Sequence, residues 1–318
     1  MGKVCKRNYL CLQKSFEREI VMNKTEPFST PIIFIFFNRS EHIVETLSVL
    51  QKLKPSKLYL VADGPRNNKE RKQIQKVRKL VEKNIIWKTK VTKIYAHKNM
   101  GLRNRIVSGL NNVFEKEETA IIMEDDCIAD QSFFKFCDVL LKKYKNNKKI
   151  GSITGDNFLF NQEKQKNSYY FSQYPHSWGW ATWKRAWNLF DNEMSDWKTV
   201  WSKKQFTSPL VKWYWYLVFT LVTKLKIDSW AYRWTYSCFK NNLLTIIPRE
   251  NLVQNKGVGK TATNTKLKNS VLDMKAYELS FPLKHPARVL QNKNYDALTE
   301  KNLYIKFRTI VGAILKFI

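Results

Sequence analysis

Cysteine is scarce and poorly placed for pairing. Cys5, Cys11, Cys127, Cys137 and Cys238 form no Cys-x-x-Cys pair and have no histidine at zinc spacing. This excludes a zinc finger, and an odd, sparse set in 318 residues predicts reduced thiols in a cytosolic setting. Long apolar runs are missing too. Residues 213–222 form the longest apolar-rich window, well short of the ~18 residues of a membrane span. Residues 1–22 lack a signal-peptide core, and Lys6 stands where N-myristoylation wants Ser or Thr. Met22 is as natural a start as Met1, and residues 1–29 are expected to be an extension outside the chemistry. Neither Gly-x-Gly-x-x-Gly nor Gly-x-x-x-x-Gly-Lys-[Ser/Thr] occurs, which argues against a dinucleotide or P-loop site.

Acid is the other shortage: 27 Asp+Glu face 56 Lys+Arg, a net charge of +29. Such a surface attracts nucleic acid, anionic lipid or polyanionic substrates, and charge alone does not choose among them. Against that background, Thr119-Ala-Ile-Ile-Met-Glu-Asp-Asp-Cys127 stands out, an apolar run ending in three adjacent carboxylates. The run reads as a buried strand. Three acids at its exit repel one another unless a cation sits among them, and carboxylate oxygens suit Mg²⁺ or Mn²⁺. The plainer alternative is an acidic loop after a core strand.

Hydrophobic residues make up 43% of the chain, enough for a sizeable core. Ile32–Phe37 is an unbroken apolar run, the pattern of a strand buried on both faces. Ser40 is a candidate N-cap for a helix from Glu41 to about Leu53. Strands are then predicted at Lys57–Ala62, Thr89–Ala96 and Ile150–Thr154, with helices over 69–83, 103–114 and 133–144. Strands alternating with helices predict a Rossmann-like α/β fold with a mostly parallel sheet, whose ligands sit outside the carboxyl ends of the strands. Those exits are Asn38/Arg39, Asp63/Gly64, Asn99/Gly101 and Glu124/Asp125/Asp126, all polar or glycine. Beyond them the texture changes. Tryptophans crowd between Trp178 and Trp234, and residues 256–302 are Lys/Asn-rich and read as loop.

The ordered series Phe37-Asn38-Arg39, Asp63-Gly64-Pro65-Arg66, Asn99-Met100-Gly101-Leu102, Glu124-Asp125-Asp126 and Trp178-Gly179-Trp180-Ala181-Thr182-Trp183 resembles the nucleotide-sugar glycosyltransferases of the GT-A fold. The likeness covers Pro31 to Thr263 and is nearest to bacterial sugar transferases. A fainter one is to the Golgi N-acetylglucosaminyltransferase that begins complex N-glycans. It implies a donor-binding half at 30–128, an aromatic-rich acceptor half at 129–255, and a closing loop with a C-terminal extension at 256–318. The implied reaction is metal-dependent, inverting transfer of a sugar from a UDP-sugar to a glycan or lipid-linked acceptor, with Mn²⁺ or Mg²⁺ as cofactor.

Site residues follow position by position. Asp126 matches the direct metal ligand, Asp125 the residue facing ribose or metal, and Glu124 the one near the donor sugar. Strand alternation places Glu124 and Asp126 on one side and Asp125 on the other. The resemblance puts Asn38, Arg39 and Asp63 at the base and ribose, and Asn99, Gly101 and Leu102 at the floor. As structural alternatives, Asp63 is a turn aspartate and Arg39 solvates a helix start. Asp228, in Lys226-Ile227-Asp228-Ser229-Trp230, matches the general base, although Ser229 stands where the Golgi enzyme has a second acid. Its plain reading is a helix N-terminal acid, and Asp156 and Asp191 are the next candidates for the base. Trp178 and Trp180 match a sugar-facing wall, or else a packed aromatic core. His176 is a phosphate donor, a metal ligand or a structural histidine. Asn251–Val253, Gly257 and 259–263 match the closing loop, where Lys256 and Lys260 pair with diphosphate or are solvated.

Two other classes compete. A nucleic-acid-binding protein accounts for the charge, but the charge is dispersed and the acidic exit repels phosphate. A nucleotidyltransferase needs the same sheet, acids and Mg²⁺, yet brings a Gly-rich loop early, which Phe37-Asn38-Arg39 is not. No nucleic-acid partner is expected. Residues 303–318 are apolar with only Lys306, Arg308 and Lys316 as charges. They predict either a docked C-terminal helix or contact with an anionic bilayer, and hence a cytoplasmic protein peripheral at the inner membrane face.

Overall fold

The computed structural model describes residues 28–159, 165–225, 227–257 and 274–305. The first half alternates as the apolar runs predict: β1 (Ile32–Phe36), α1 (Ile43–Leu53), β2 (Lys57–Ala62), α2 (Asn68–Lys83), β3 (Lys90–Tyr95), α3 (Leu102–Phe114) and β4 (Thr119–Glu124). After it come β5 (Cys127–Ala129), α4 (Gln131–Lys143), β6 (Ile150–Thr154), β7 (Tyr169–Ser172) and β8 (Trp180–Trp183). The helices α5 (Lys184–Trp187), α6 (Trp197–Lys203), α7 (Pro209–Lys224) and α8 (Trp230–Lys240) precede β9 (Leu244–Pro248), β10 (Val253–Asn255) and α9 (Lys293–Thr299).

Eight strands form one sheet in the order β3-β2-β1-β4-β8-β6-β9-β7. The first four are mutually parallel; β8 runs antiparallel to both β4 and β6, and β7 antiparallel to β9. β5 and β10 make a separate antiparallel pair. The fold is thus a mostly parallel α/β sheet covered by helices on both faces. β1 shows why. Its residues are buried throughout, Ile32, Phe34 and Phe36 packing with α1, α2 and α4, and Ile33 and Ile35 with α3 and α8. Each such side chain contributes roughly 1.5–3 kcal/mol on burial.

Order in the sheet fixes where a ligand can sit. β2 lies on one side of β1 and β4 on the other, so the connections diverge at the β1/β4 boundary. In open α/β sheets that divergence leaves a crevice at the carboxyl ends of the strands.

Three sequence expectations differ from the structure. Ser40 does not cap α1: the helix starts after a turn at Glu41-His42, leaving 38–40 as a loop from which Arg39 reaches the acids after β4. The tryptophan segment supplies a central strand, β8, which the sequence reading did not assign because aromatic spacing alone does not separate strand from binding wall. Part of 256–302 is ordered structure. Tyr277 and Leu279 donate backbone N–H groups to Asn251 O (2.7 Å) and Ser132 Oγ (2.9 Å). Buried Asp296 accepts from Ser172 Oγ and from Gln173 N at 3.1 Å, and buried Glu300 accepts from the Tyr174 and Thr207 hydroxyls. A seven-residue helix held by buried carboxylates leaves little apolar periodicity to read. Among the described residues Cys127, Cys137 and Cys238 are free and buried, and no helix is long and apolar enough to cross a membrane.

Candidate functional site

At the β1/β4 crevice one guanidinium serves two acids. Arg39 Nη2 lies 3.1 Å from Asp125 Oδ1 and 3.2 Å from Asp126 Oδ2. The Phe37 N–H points at Asp125 Oδ2 (3.4 Å), and Thr46 Oγ1 donates to the Asp125 carbonyl (3.3 Å). β4 ends at Glu124, so strand alternation stops there; Asp125 and Asp126 turn toward the same guanidinium instead of facing opposite ways. This corrects the alternation expected from sequence.

The cluster is overcharged. Burial, then the charges of Asp126 and Asp125, push the Glu124 carboxyl up to about 8. Burial pushes Asp125 up to about 6 despite the Arg39 charge beside it. The second wall is the segment after β10. The Lys256 N–H donates to the Asp126 carbonyl at 2.7 Å, and the Gly257 N–H to Asn255 Oδ1 at 2.7 Å. A Cβ at Gly257 would overlap Asp126 Oδ2, so a larger residue there would push the carboxylate from its present place. Lys256 Nζ is 3.8 Å from Glu45. Lys260, Gly259 and Thr261–Thr263 fall outside the described residues.

A second group lines the neighbouring strand ends. Asp63, after β2, accepts from the N–H groups of Gly64 (2.8 Å) and Met100 (2.9 Å), and from Asn99 Nδ2 (3.0 Å). It pins the β2 and β3 exits together and leaves little acceptor capacity for a nucleobase N–H. Asn99 also donates to the Gly64 carbonyl at 3.0 Å, and its Oδ1 accepts from the Gly101 N–H at 3.2 Å. Gly101 has φ +79°, and Asp228 Oδ2 lies 2.7 Å from where its Cβ would be. Asp228 Oδ1 accepts from the Arg103 N–H at the start of α3 (3.2 Å) and lies 3.6 Å from Arg103 Nε. Asp228 therefore joins Asn99 and Gly101, its side chain still about half exposed (47%). Asn38 donates from Nδ2 to Glu70 (2.8 Å), which also pairs with Arg66.

Trp180 is a clear departure. It is 1% exposed, stacked on Trp230 (5.4 Å, 20°) and packed against Trp187 and Trp234. Its faces are consumed by core contacts, so it offers no wall to a sugar. Trp178, half-buried against Phe158, is the tryptophan of that segment nearer the surface. The other candidate bases differ in kind. Asp191 caps the turn to Met194 (N–H, 2.9 Å) and pairs with Lys240 (2.9 Å). Asp156 is wholly buried, takes a hydrogen bond from Thr154 Oγ1, lies 3.9 Å from His176 Nδ1, and is pushed up to about 7 by burial. Burial drives His176 down to about 3, which makes it a neutral imidazole unsuited to charge pairing with phosphate.

Sequence reasoning missed Arg78 and Arg105. Arg78 Nη2 donates to the carbonyls of Asp63 (2.9 Å) and Ala96 (3.0 Å). Arg105 is 7% exposed, on the inner face of α3 with Ile106, Gly109 and Leu110, and feels the Asp63 charge. Its placement on the buried face was the available signal.

Three acids against one guanidinium suit a divalent cation. Among the described residues no three His, Cys, Asp or Glu side chains form a protein-only metal cage. Mg²⁺ and Mn²⁺ need none when one carboxylate is supplemented by phosphate and water. The donor set fits such an ion at Asp126.

No protein-family model and no curated protein sequence matches the chain. Solved structures match weakly. A mannosyltransferase from Pyrobaculum calidifontis in complex with GDP-Man and Mn²⁺ is 12% identical, covering 73% of this chain and 76% of that one, with a TM-score of 0.35. A UDP-glucose pyrophosphorylase complexed with UDP-glucose is 10% identical over 69% and 90%, TM-score 0.35. A cytidylyltransferase from Leptospira borgpetersenii serovar Hardjo-bovis is 10% identical over 63% and 73%, TM-score 0.32. At these scores the similarities carry no argument about activity.

Proposed function

We propose that this chain is a glycosyltransferase that moves a sugar from a nucleoside-diphosphate donor, UDP-sugar in the first instance, to a glycan or lipid-linked acceptor. The observation that carries the reading is the convergence at the β1/β4 crevice: Arg39 bridging Asp125 and Asp126, closed over by Lys256 and Gly257. A divalent cation held by Asp126 would neutralise the diphosphate as the sugar leaves. Asp125 and Glu124 take the ribose and sugar side of the crevice. Asn38, Asn99 and Gly101 shape the base and ribose floor, and Asp63 keeps that floor rigid. Arg39 holds Asp125 and Asp126 in place, and would be free to pair with phosphate where a cation neutralised Asp126.

Asp228 is the proposed base. Its Oδ1 is engaged by α3 and its side chain is about half exposed, so Oδ2 would take the acceptor proton as the hydroxyl attacks the anomeric carbon, giving inversion. The test is a donor screen that reads UDP and pyrophosphate separately, with Mn²⁺, Mg²⁺ and chelator. Metal-dependent UDP release supports transfer. Pyrophosphate release from a nucleoside triphosphate and sugar phosphate, without UDP release, sinks it in favour of nucleotidyl transfer.

A further inference from the structure

The opposite edge of the sheet carries the reverse charge. A groove of about 920 Å³ lies at the end of α4 and along the turn to β6, lined by Lys142, Lys143, Lys145, Lys148, Lys149 and Arg288, with no acid among the described residues of its lining. Because β6 runs in the same direction as β4, its first residue lies at the edge away from Glu124–Asp126. The groove is therefore separate from the nucleotide crevice.

Its backbone is firmly held. Arg185 donates to the carbonyls of Tyr144 (3.1 Å), Lys145 (2.9 Å) and Ile150 (2.9 Å) while lying over the Trp183 ring. Of the groove lysines only Lys142 has a carboxylate within ion-pair distance among the described residues, Asp138 at 2.8 Å. A second cavity, about 470 Å³, opens on the same edge, between the end of β7 and the start of β9. Lys203 and Lys204 line it, and Asp196, the one acid among the described lining residues, is already paired with Lys240 at 3.0 Å. One short segment links the two: Arg288 and Val289 line the first and Gln291 the second, with Leu290 between them 63% exposed.

We propose that this edge docks on an anionic membrane surface. Lysine ammoniums on flexible stems suit a delocalised negative surface, and an exposed leucine among them suits the headgroup boundary. The sequence that follows Ile305 suits the same partner. Tyr304 and Ile305 pack with Tyr174, just past the end of β7 at this edge, and the next thirteen residues are Lys-Phe-Arg-Thr-Ile-Val-Gly-Ala-Ile-Leu-Lys-Phe-Ile. Single-stranded nucleic acid fits less well, because such strands stack on exposed rings. Tyr144, the ring in the groove lining, is buried edge-on to Tyr169 and Phe171, with its hydroxyl 2.6 Å from the Tyr169 hydroxyl.

The proposal does not depend on the reaction, and its test reads membrane partition alone. The full chain is sedimented with phosphatidylcholine vesicles, with and without phosphatidylglycerol. The wild type is expected to bind only the anionic vesicles. Each lysine at such a surface is worth about fivefold, so Lys145→Gln/Lys148→Gln/Lys149→Gln should lower the partition roughly 100-fold. Circular dichroism confirms that this variant is folded. A second variant, Lys306→Gln/Arg308→Gln/Lys316→Gln, separates the tail's charges from the groove's. The idea fails if the wild type ignores phosphatidylglycerol, or if the groove variant binds as wild type while the tail variant does not. It fails equally if the groove variant loses single-stranded RNA but keeps vesicle binding.

Discussion

The two edges of one sheet are out of charge balance in opposite senses. At the carboxyl ends of β1 and β4, Asp125 and Asp126 share a single arginine beside Glu124, and Glu124 and Asp125 are held above their ordinary range. At the amino ends, beside β6 and β9, lysines gather with few acids among them. A folded chain left this way gains when a ligand of the missing sign arrives: cation and diphosphate at one edge, an anionic surface at the other. The net charge of +29 conceals this division.

The sharpest way to break the comparison is to empty one edge and watch the other. Asp126→Ala is expected to cut metal-dependent UDP release at least about a thousandfold, since an ion at a developing charge is worth several kcal/mol. The lysine-to-glutamine groove variant should leave that rate unchanged. If both variants lose activity equally, the two edges are not separate sites.

Asp228→Asn comes next. Loss of a general base costs about 10²–10⁴-fold, so turnover should collapse while thermal shift with UDP persists. The amide keeps an oxygen for the Arg103 N–H, so the α3 contact survives. Unchanged turnover removes Asp228 from the chemistry and leaves buried Asp156 as the next candidate.

Gly101→Ala tests whether Asp228 is held by geometry. A Cβ at φ +79° is strained and collides with the carboxylate, a cost of about 1–3 kcal/mol. A lower melting temperature together with slower turnover is expected; unchanged values of both refute the close approach.

A last effect is in pH, and it is read in stability rather than in rate. Glu124 and Asp125 bind protons more readily folded than unfolded, so the folded state carries the extra protons, and stability falls as pH rises. The penalty sets in above the ordinary carboxylate range and grows until about pH 8, where Glu124 ionises. Melting temperature without metal should drop from about pH 5 to pH 8. Mn²⁺ should raise it more at pH 8, because a cation beside ionised Glu124 and Asp125 offsets their repulsion. A Glu124→Gln variant with an unchanged slope overturns this assignment.

Much of the sheet was readable from apolar runs, because a strand buried on both faces leaves no room for polar residues. Lys57–Ala62 and Ile150–Thr154 match their predicted bounds, and Ile32–Phe37 is one residue too long. The acid cluster was readable for the same reason: a core strand can carry charge only where it leaves the core. Trp180 was not, since a ring that stacks on a sugar and a ring that stacks on Trp230 look alike in one dimension. Nor was Arg105, whose charge suggested solvent while its helix face turned inward.

By itself the sequence determined the alternation of strands and helices, the edge at which Asn38, Arg39, Asp63, Asn99 and the three acids emerge, and the excess of positive charge. These follow from local pattern, from side chains that either enter or avoid a buried strand. Only the tertiary structure decided that Arg39 bridges Asp125 and Asp126, that Gly257 lies on Asp126, that Asp228 rests on Gly101, and that lysines at the ends of α4 and α6 lie along one edge with Arg288. Each joins residues far apart in the chain, and strand order, not any local propensity, brings them together.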